Sequence, residues 1–164
     1  MLRYLLDTNT VVYVIKKRPI EVLEVFNAQA GHMAISAITL SELLHGAEKS
    51  ERLVANLAVV EDFCGRIEVL SYGPKAALHY GSIRAKLERA GSPIGVNDLH
   101  IAAHARSEGL TLVTNNEREF VRVPALQIEN WLRDVEKPVE KPVEKNVEKK
   151  KISGKRNLAK KIVK

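Results

Sequence analysis

The chain has 164 residues, room for one globular domain of ordinary size and for no second enzyme domain. A hydrophobic share of 45% and a charged share of 28% exclude a wholly disordered chain and allow a sizeable core. The net charge of +6 is confined to one end: residues 134–164 carry 11 Lys and Arg against 5 Asp and Glu, which leaves 15 of each sign in residues 1–133.

Leu2 to Leu6 is a short apolar run closed by Asp7-Thr8-Asn9, which predicts a buried strand followed by a helix start. Pro19 opens a helical stretch with Val22, Val25 and Phe26 at three- and four-residue spacing, and Met33 to Ile35 is a second short strand. Ser36 to Ala47 is helical. Arg52 to Arg66 then places Leu53, Leu57, Val60 and Cys64 on one helical face, and Ile67 to Leu70 is again strand-like. After Gly73-Pro74 a helix to Ala90 sets Ala76, Tyr80, Ile83 and Leu87 inward, and the Gly91-Ser92-Pro93 turn ends it. Asn97 is the expected cap of a helix reaching Glu108, Gly109 follows it, and Leu110 to Val113 is the next strand. A polar turn from Thr114 to Phe120 precedes a last strand near Leu126 to Ile128. From Val135 a Val-Glu-Lys-Pro repeat runs to Lys150, with Pro138 and Pro142 breaking any helix and too few apolar groups to offset ordering entropy. A domain over residues 1–133 and a disordered basic tail over 134–164 are therefore expected.

Short apolar strands alternating with helices predict an α/β fold, a three-layer α/β/α sandwich around a mainly parallel sheet. In such sheets ligands bind beyond the carboxyl ends of the strands. The acids at those ends are Asp7, Glu42, Asp98 and Glu119. Gathered at one rim they would repel each other unless a cation neutralised them, and an all-oxygen set suits Mg²⁺ or Mn²⁺ rather than zinc. Such a site can activate water and stabilise charge on a phosphoryl group.

Each acid also has a local reading. Glu42 follows Thr39 at capping-box spacing, and Asp98 in a first helical turn can simply complement the helix dipole. Glu119 alone reads as a surface residue, whereas Asp7, directly after an apolar strand, is a costly place for a charge. His100 and His104 stand four apart on one helix without the Glu of a His-Glu-x-x-His motif, so they read as structural. Cys64 has no partner for a disulfide or a thiolate cluster and reads as core. Ser36, Thr39 and Ser41 read as helix-start residues because no Gly-x-Ser-x-Gly elbow surrounds them. No apolar run approaches the roughly 18 residues that cross a bilayer, so a cytoplasmic protein with no membrane partner is expected.

In order along residues 1–131, Leu5-Leu6-Asp7-Thr8-Asn9, Ile35 to Leu43, Asn97-Asp98-Leu99-His100-Ile101-Ala102-Ala103 and Leu112 to Phe120 resemble successive motifs of PIN-domain ribonucleases. Within that family they look most like the VapC toxins of type II toxin–antitoxin pairs, including the initiator-tRNA endonucleases. The resemblance implies Mg²⁺-dependent cleavage of RNA, leaving 5′-phosphate and 3′-hydroxyl ends, with tRNA as the expected substrate. It implies catalytic roles for Asp7, Glu42, Asp98 and Glu119, with Asp7 and Asp98 as metal ligands and Thr8, Asn9, Thr114 and Asn116 in support. Many members carry an aspartate near Asn116, so Glu119 and Asn116 both stand as candidates for the fourth position. The resemblance also implies a homodimer and a VapB-like antitoxin whose basic side chain enters the acidic pocket.

Lys16, Lys17 and Arg18, or Arg84, Lys86 and Arg89, are candidate contacts for the RNA backbone, with a solvated surface as the plain alternative. The tail departs from the family pattern and is read as a source of non-specific nucleic-acid affinity or as a solvated solubility tail. A haloacid-dehalogenase phosphatase would need an acid where Asn9 stands, and a receiver domain a phosphoacceptor where Ser71 stands. The alternative to an enzyme is a non-catalytic nucleic-acid- or protein-binding module whose acids only cap helices.

Overall fold

A computed structural model describes residues 1–132; the expected tail and its repeat lie outside the described residues. In chain order the elements are β1 (Tyr4–Leu6), α1 (Thr8–Lys16), α2 (Ile20–Ala28), β2 (Met33–Ser36), α3 (Ala37–Glu48) and α4 (Leu53–Cys64). There follow β3 (Glu68–Leu70), α5 (Pro74–Arg89), α6 (Val96–Glu108), β4 (Thr111–Val113), α7 (Glu117–Phe120) and β5 (Ile128–Glu129). The strands lie in the order β3-β2-β1-β4-β5, and every pairing is parallel. β1 is central, with Leu6 level with Ile35 on one side and Val113 on the other.

Side chains alternate across the strands and so divide the core in two. Tyr4, Leu6, Met33, Ile35 and Val113 face a layer that contributes Val11, Val14, Val22, Leu43 and Phe63, while Leu5, Ala34 and Leu112 face Ile83, Leu87, Leu99, Ile101 and Phe120. Burial on both faces explains the unbroken apolar runs in the strands. The expected three-layer α/β/α arrangement is thus the observed one, and its sheet is parallel throughout.

The local departures have physical reasons. The segment expected as a polar turn contains the one-turn helix α7, which folds because Phe120 is fully buried in the second core. In α4 Val60 and Phe63 supply the buried contacts, with Leu57 and Cys64 partly buried and Leu53 exposed. The cap of α6 is Gly95 rather than Asn97, and α3 is capped by Ser36, whose Oγ accepts from the Ile38 N–H at 3.1 Å. Gly109 closes α6 at φ 66°, the left-handed conformation that favours glycine.

Because Phe120 anchors α7 and its neighbour Glu119, Phe120→Ala is expected to cost about 3–5 kcal/mol in urea unfolding.

Candidate active site

The strand order turns outward in both directions from β1, so the crevice between β1 and β4 is the topological switch point where such sheets bind ligands. Asp7 follows β1 and Thr114 follows β4. Asp7 is 2% exposed and Thr114 fully buried, and the Thr114 hydroxyl donates to Asp7 Oδ2 at 2.9 Å. Asp7 also caps α1, accepting from the Thr8 N–H at 2.8 Å.

Glu42 sits on the second turn of α3. The Thr8 hydroxyl donates to its Oε2 in a short hydrogen bond, and the Asn97 side-chain amide donates to Oε1 at 2.8 Å. The capping-box reading of Glu42 therefore fails: Thr39 lies inside α3, its hydroxyl is buried without a hydrogen-bond partner, and Glu42 reaches across to α1 and α6.

Asp98 is in the first turn of α6 and shares a hydrogen bond with Glu119, so the pair retains a proton. Glu119 Oε2 accepts from the Gly95 N–H at 3.3 Å, and the Asn116 amide donates to Asp98 Oδ2 at 3.4 Å. Thr114 ties the two halves together, since its hydroxyl also accepts from the Asn116 N–H at 2.9 Å.

All four expected acids thus meet at one rim. Burial pushes the Asp7 carboxyl up to about 6 against the hydrogen bonds from Thr114 and Thr8, and the charges of Glu42 and Glu119 push the same way. Burial, the hydrogen bond with Glu119 and then the charge of Asp7 bring Asp98 to about 7. Glu119 is held below the ordinary carboxylate range by its bonds to Asp98 and Gly95, with a smaller contribution from Arg122. The ion pairs among the described residues, Asp62–Arg66, Lys75–Glu108 and Arg84–Glu88, all lie elsewhere. Negative charge gathered without a bonded cation, in an all-oxygen donor set, fits a hard divalent ion. Among the described residues no three acidic, histidine or cysteine groups enclose an ion by themselves.

Asn9 is exposed on the first turn of α1, open to water or phosphate. Asn97, expected only as a cap, is a site residue; an amide in a first helical turn carries no sequence signal for a partner 55 residues away. Gly95 and Arg122 also went unmarked in the sequence. Of the two basic groups, Lys16 to Arg18 lies at the far end of α1, about 14 Å from Asp7 along the helix. Arg84 instead lines a shallow groove with Val96 and Leu99, on the turn of α6 that carries Asp98.

The two histidines of α6 make contacts within the fold. His104 is buried with Nδ1 2.9 Å from Ser36 Oγ; His100 stacks on Tyr80 and lies 3.0 Å from the Tyr72 hydroxyl.

The PIN-domain family profile matches residues 4–126. The chain belongs to the PIN-domain family. It is 60% identical over 132 residues to ribonuclease VapC2 of Haemophilus influenzae, an alignment covering 80% of this chain and 100% of that protein. It is 53% identical over 131 residues to the tRNA(fMet)-specific endonuclease VapC of Salmonella typhimurium, covering 80% of this chain and 99% of that one. The crystal structure of DNA-bound VapBC from Salmonella typhimurium superposes with a TM-score of 0.78, at 53% identity, over 80% of this chain and 99% of its counterpart. These likenesses place this PIN domain among the VapC nucleases.

Because the folded Asp7 and Asp98 carboxyls are raised, the metal-free protein holds protons that the unfolded chain releases above about pH 4. Its stability is expected to fall as pH rises from 4 to 8. Asp98→Asn should flatten that fall and raise the metal-free melting temperature at pH 8 by about 3 °C, on the order of 1 kcal/mol, as read by circular dichroism. Asn97→Ala, which leaves Glu42 Oε1 unpaired, should cost about 1 kcal/mol in the same melts, and Asn97→Asp, a fifth carboxylate, more.

Proposed function

We propose that this PIN domain is a Mg²⁺-dependent endoribonuclease that cleaves tRNA, with initiator tRNA as the leading substrate, and the toxin of a type II toxin–antitoxin pair. The observation that carries the reading is the convergence of Asp7, Glu42, Asp98 and Glu119 at the switch point with no basic side chain bonded to any of them among the described residues. The tRNA assignment draws on the activity named for the Salmonella relative.

Asp7 and Asp98, short side chains fixed by β1 and by the first turn of α6, would hold the ion; Mn²⁺ suits the same donors. Bound there, the metal supplies a water of lowered pKa and neutralises charge on the scissile phosphate. Glu42 is hydrogen-bonded at both oxygens, so it acts as a fixed acceptor that orients rather than a direct ligand. Glu119, hydrogen-bonded to Asp98 and held ionised by its donors, is suited to position the attacking water as an acceptor. Glu119 thereby fills the fourth position, and Asn116 supports Asp98. The N-termini of α1 and α6 both open on the rim and favour a phosphate there, with Arg122 near Glu119 and Arg84 in the groove against Val96 and Leu99 as the proposed backbone contacts. In-line attack at phosphorus then leaves 5′-phosphate and 3′-hydroxyl ends.

The VapBC complex solved from Salmonella typhimurium supports a VapB-like antitoxin as partner; on this reading a basic side chain of that partner enters the acidic rim. A cytoplasmic homodimer is part of the same reading; among the described residues no helix is long and apolar enough to cross a membrane.

Incubated with total tRNA, the purified protein should give discrete 5′-phosphorylated fragments with Mg²⁺ and none with EDTA, and Asp98→Asn should slow cleavage at least about a hundredfold. Metal binding without cleavage of any RNA would favour the non-catalytic binding module.

A further inference from the structure

The residues that the nuclease reading leaves unused are those after Leu132. The Haemophilus relative is matched end to end over 132 residues, whereas this chain has 164. The addition is not uniform. Residues 135–150 hold five Lys and four Glu and are almost neutral, whereas residues 151–164 hold six Lys and Arg and no acid. All the net charge of the protein therefore sits on its last fourteen residues, at the end of a near-neutral spacer.

The structure fixes the last residues before this addition. The Thr114 N–H donates to the Glu129 carbonyl at 2.9 Å, while the Thr114 hydroxyl bonds Asp7. The Asn130 amide donates to Glu117 of α7 at 3.1 Å, and Trp131 is buried against Tyr4 with ring centroids 5.4 Å apart. Trp131 thus anchors the last described residues against Tyr4 at the start of β1, just after β5 ends beside Thr114. Sixteen spacer residues reach at most about 55 Å, against a radius of gyration of about 14 Å for a domain this size.

We propose that residues 151–164 are a second, tethered nucleic-acid-binding segment that grips the phosphate backbone of the RNA whose cleavage occurs at the acidic rim. The proposal rests on the ribonuclease reading for the identity of its ligand. Its physical basis is that a domain of zero net charge with four acids at its mouth has no net Coulombic attraction for RNA. A cationic segment joined to the same chain supplies the attraction through counterion release, without sequence preference. A polyanion with a charge every few ångströms outcompetes a cluster of four carboxylates for such a segment.

The test is RNA binding in EDTA by the full chain carrying Asp98→Asn, compared with the same chain in which Lys151, Lys155, Arg156, Lys160, Lys161 and Lys164 are all changed to Gln, and with one ending at Lys150. The full chain should bind tRNA and an unrelated RNA of equal length alike. Neutralising or removing the segment should weaken both at least about tenfold at 100 mM salt and reduce the slope of log Kd against log salt by about 4. Unchanged affinity and slope would overturn the proposal. So would binding to phosphatidylserine vesicles but not to RNA, or a neutralised active chain whose kcat rises with its RNA affinity unchanged, which would make the tail a plug of the site. Should tail-dependent binding persist while the active chain cleaves no RNA, the nuclease reading fails and the tether stands.

Discussion

A carboxylate buried at the end of the central strand is the constraint around which the rest of the domain is arranged. Asp7 is almost wholly inaccessible at the carboxyl end of β1, where an isolated charge would be strongly disfavoured. Its environment partly offsets that cost: the first N–H of α1 meets one oxygen and the Thr114 hydroxyl meets the other. Both donors depend on the topology. α1 must start directly after β1, and β4 must lie beside β1 in register so that Thr114 follows Val113 into the same crevice. Parallel pairing of β1 with both neighbours thus creates the site as well as the core.

Around this fixed point the two aspartates and two glutamates are held differently. The aspartates are short and inherit their positions from backbone that the core already orders. The glutamates are longer, and holding a long side chain costs rotamer entropy that only specific donors can offset. Glu42 has Thr8 and Asn97, one on each oxygen, and Glu119 has Gly95 and Asp98. Those donors come from α1, α6 and the loop before α6, so the two outer acids report the packing of helices on both faces of the sheet. The ligand-holding role proposed for the short acids and the orienting role proposed for the long ones match this division.

The sheet and all four acids were legible because they follow from non-local rules with simple inputs: unbroken apolar strands imply a parallel sheet, and a parallel sheet collects whatever follows its strands. Thr114 was marked only through the family resemblance. The misreadings arose where a short-range signal competed with a contact made only after assembly. Thr39 and Glu42 have capping spacing, yet Ser36 one turn earlier took the cap and left Glu42 to cross the site. Asn97 carried the same local signature, and its partner lies on another helix. α7 was hidden because its one buried residue, Phe120, is surrounded by polar neighbours. The basic groups looked alike in sequence; only the course of α1 and the pairing of α5 with α6 separate the cluster at the far end of α1 from Arg84 in the groove against Val96 and Leu99.

The raised carboxyls connect the architecture to its chemistry. A rim whose aspartates titrate near 6 and 7 carries bound protons at mild acidity and sheds them around neutrality, where mutual repulsion is greatest. Protons and a divalent cation are alternative ways of relieving the same repulsion, so an ion entering the site displaces protons and its affinity rises with pH across that range. On the proposed reading, the electrostatic strain that burial of Asp7 imposes on the fold is the free energy that an incoming cation would recover. Relieving the strain with a neutral residue would stabilise the fold and weaken the attraction for such a cation. Stability and the proposed activity would then be set against each other at this rim by the same four charges.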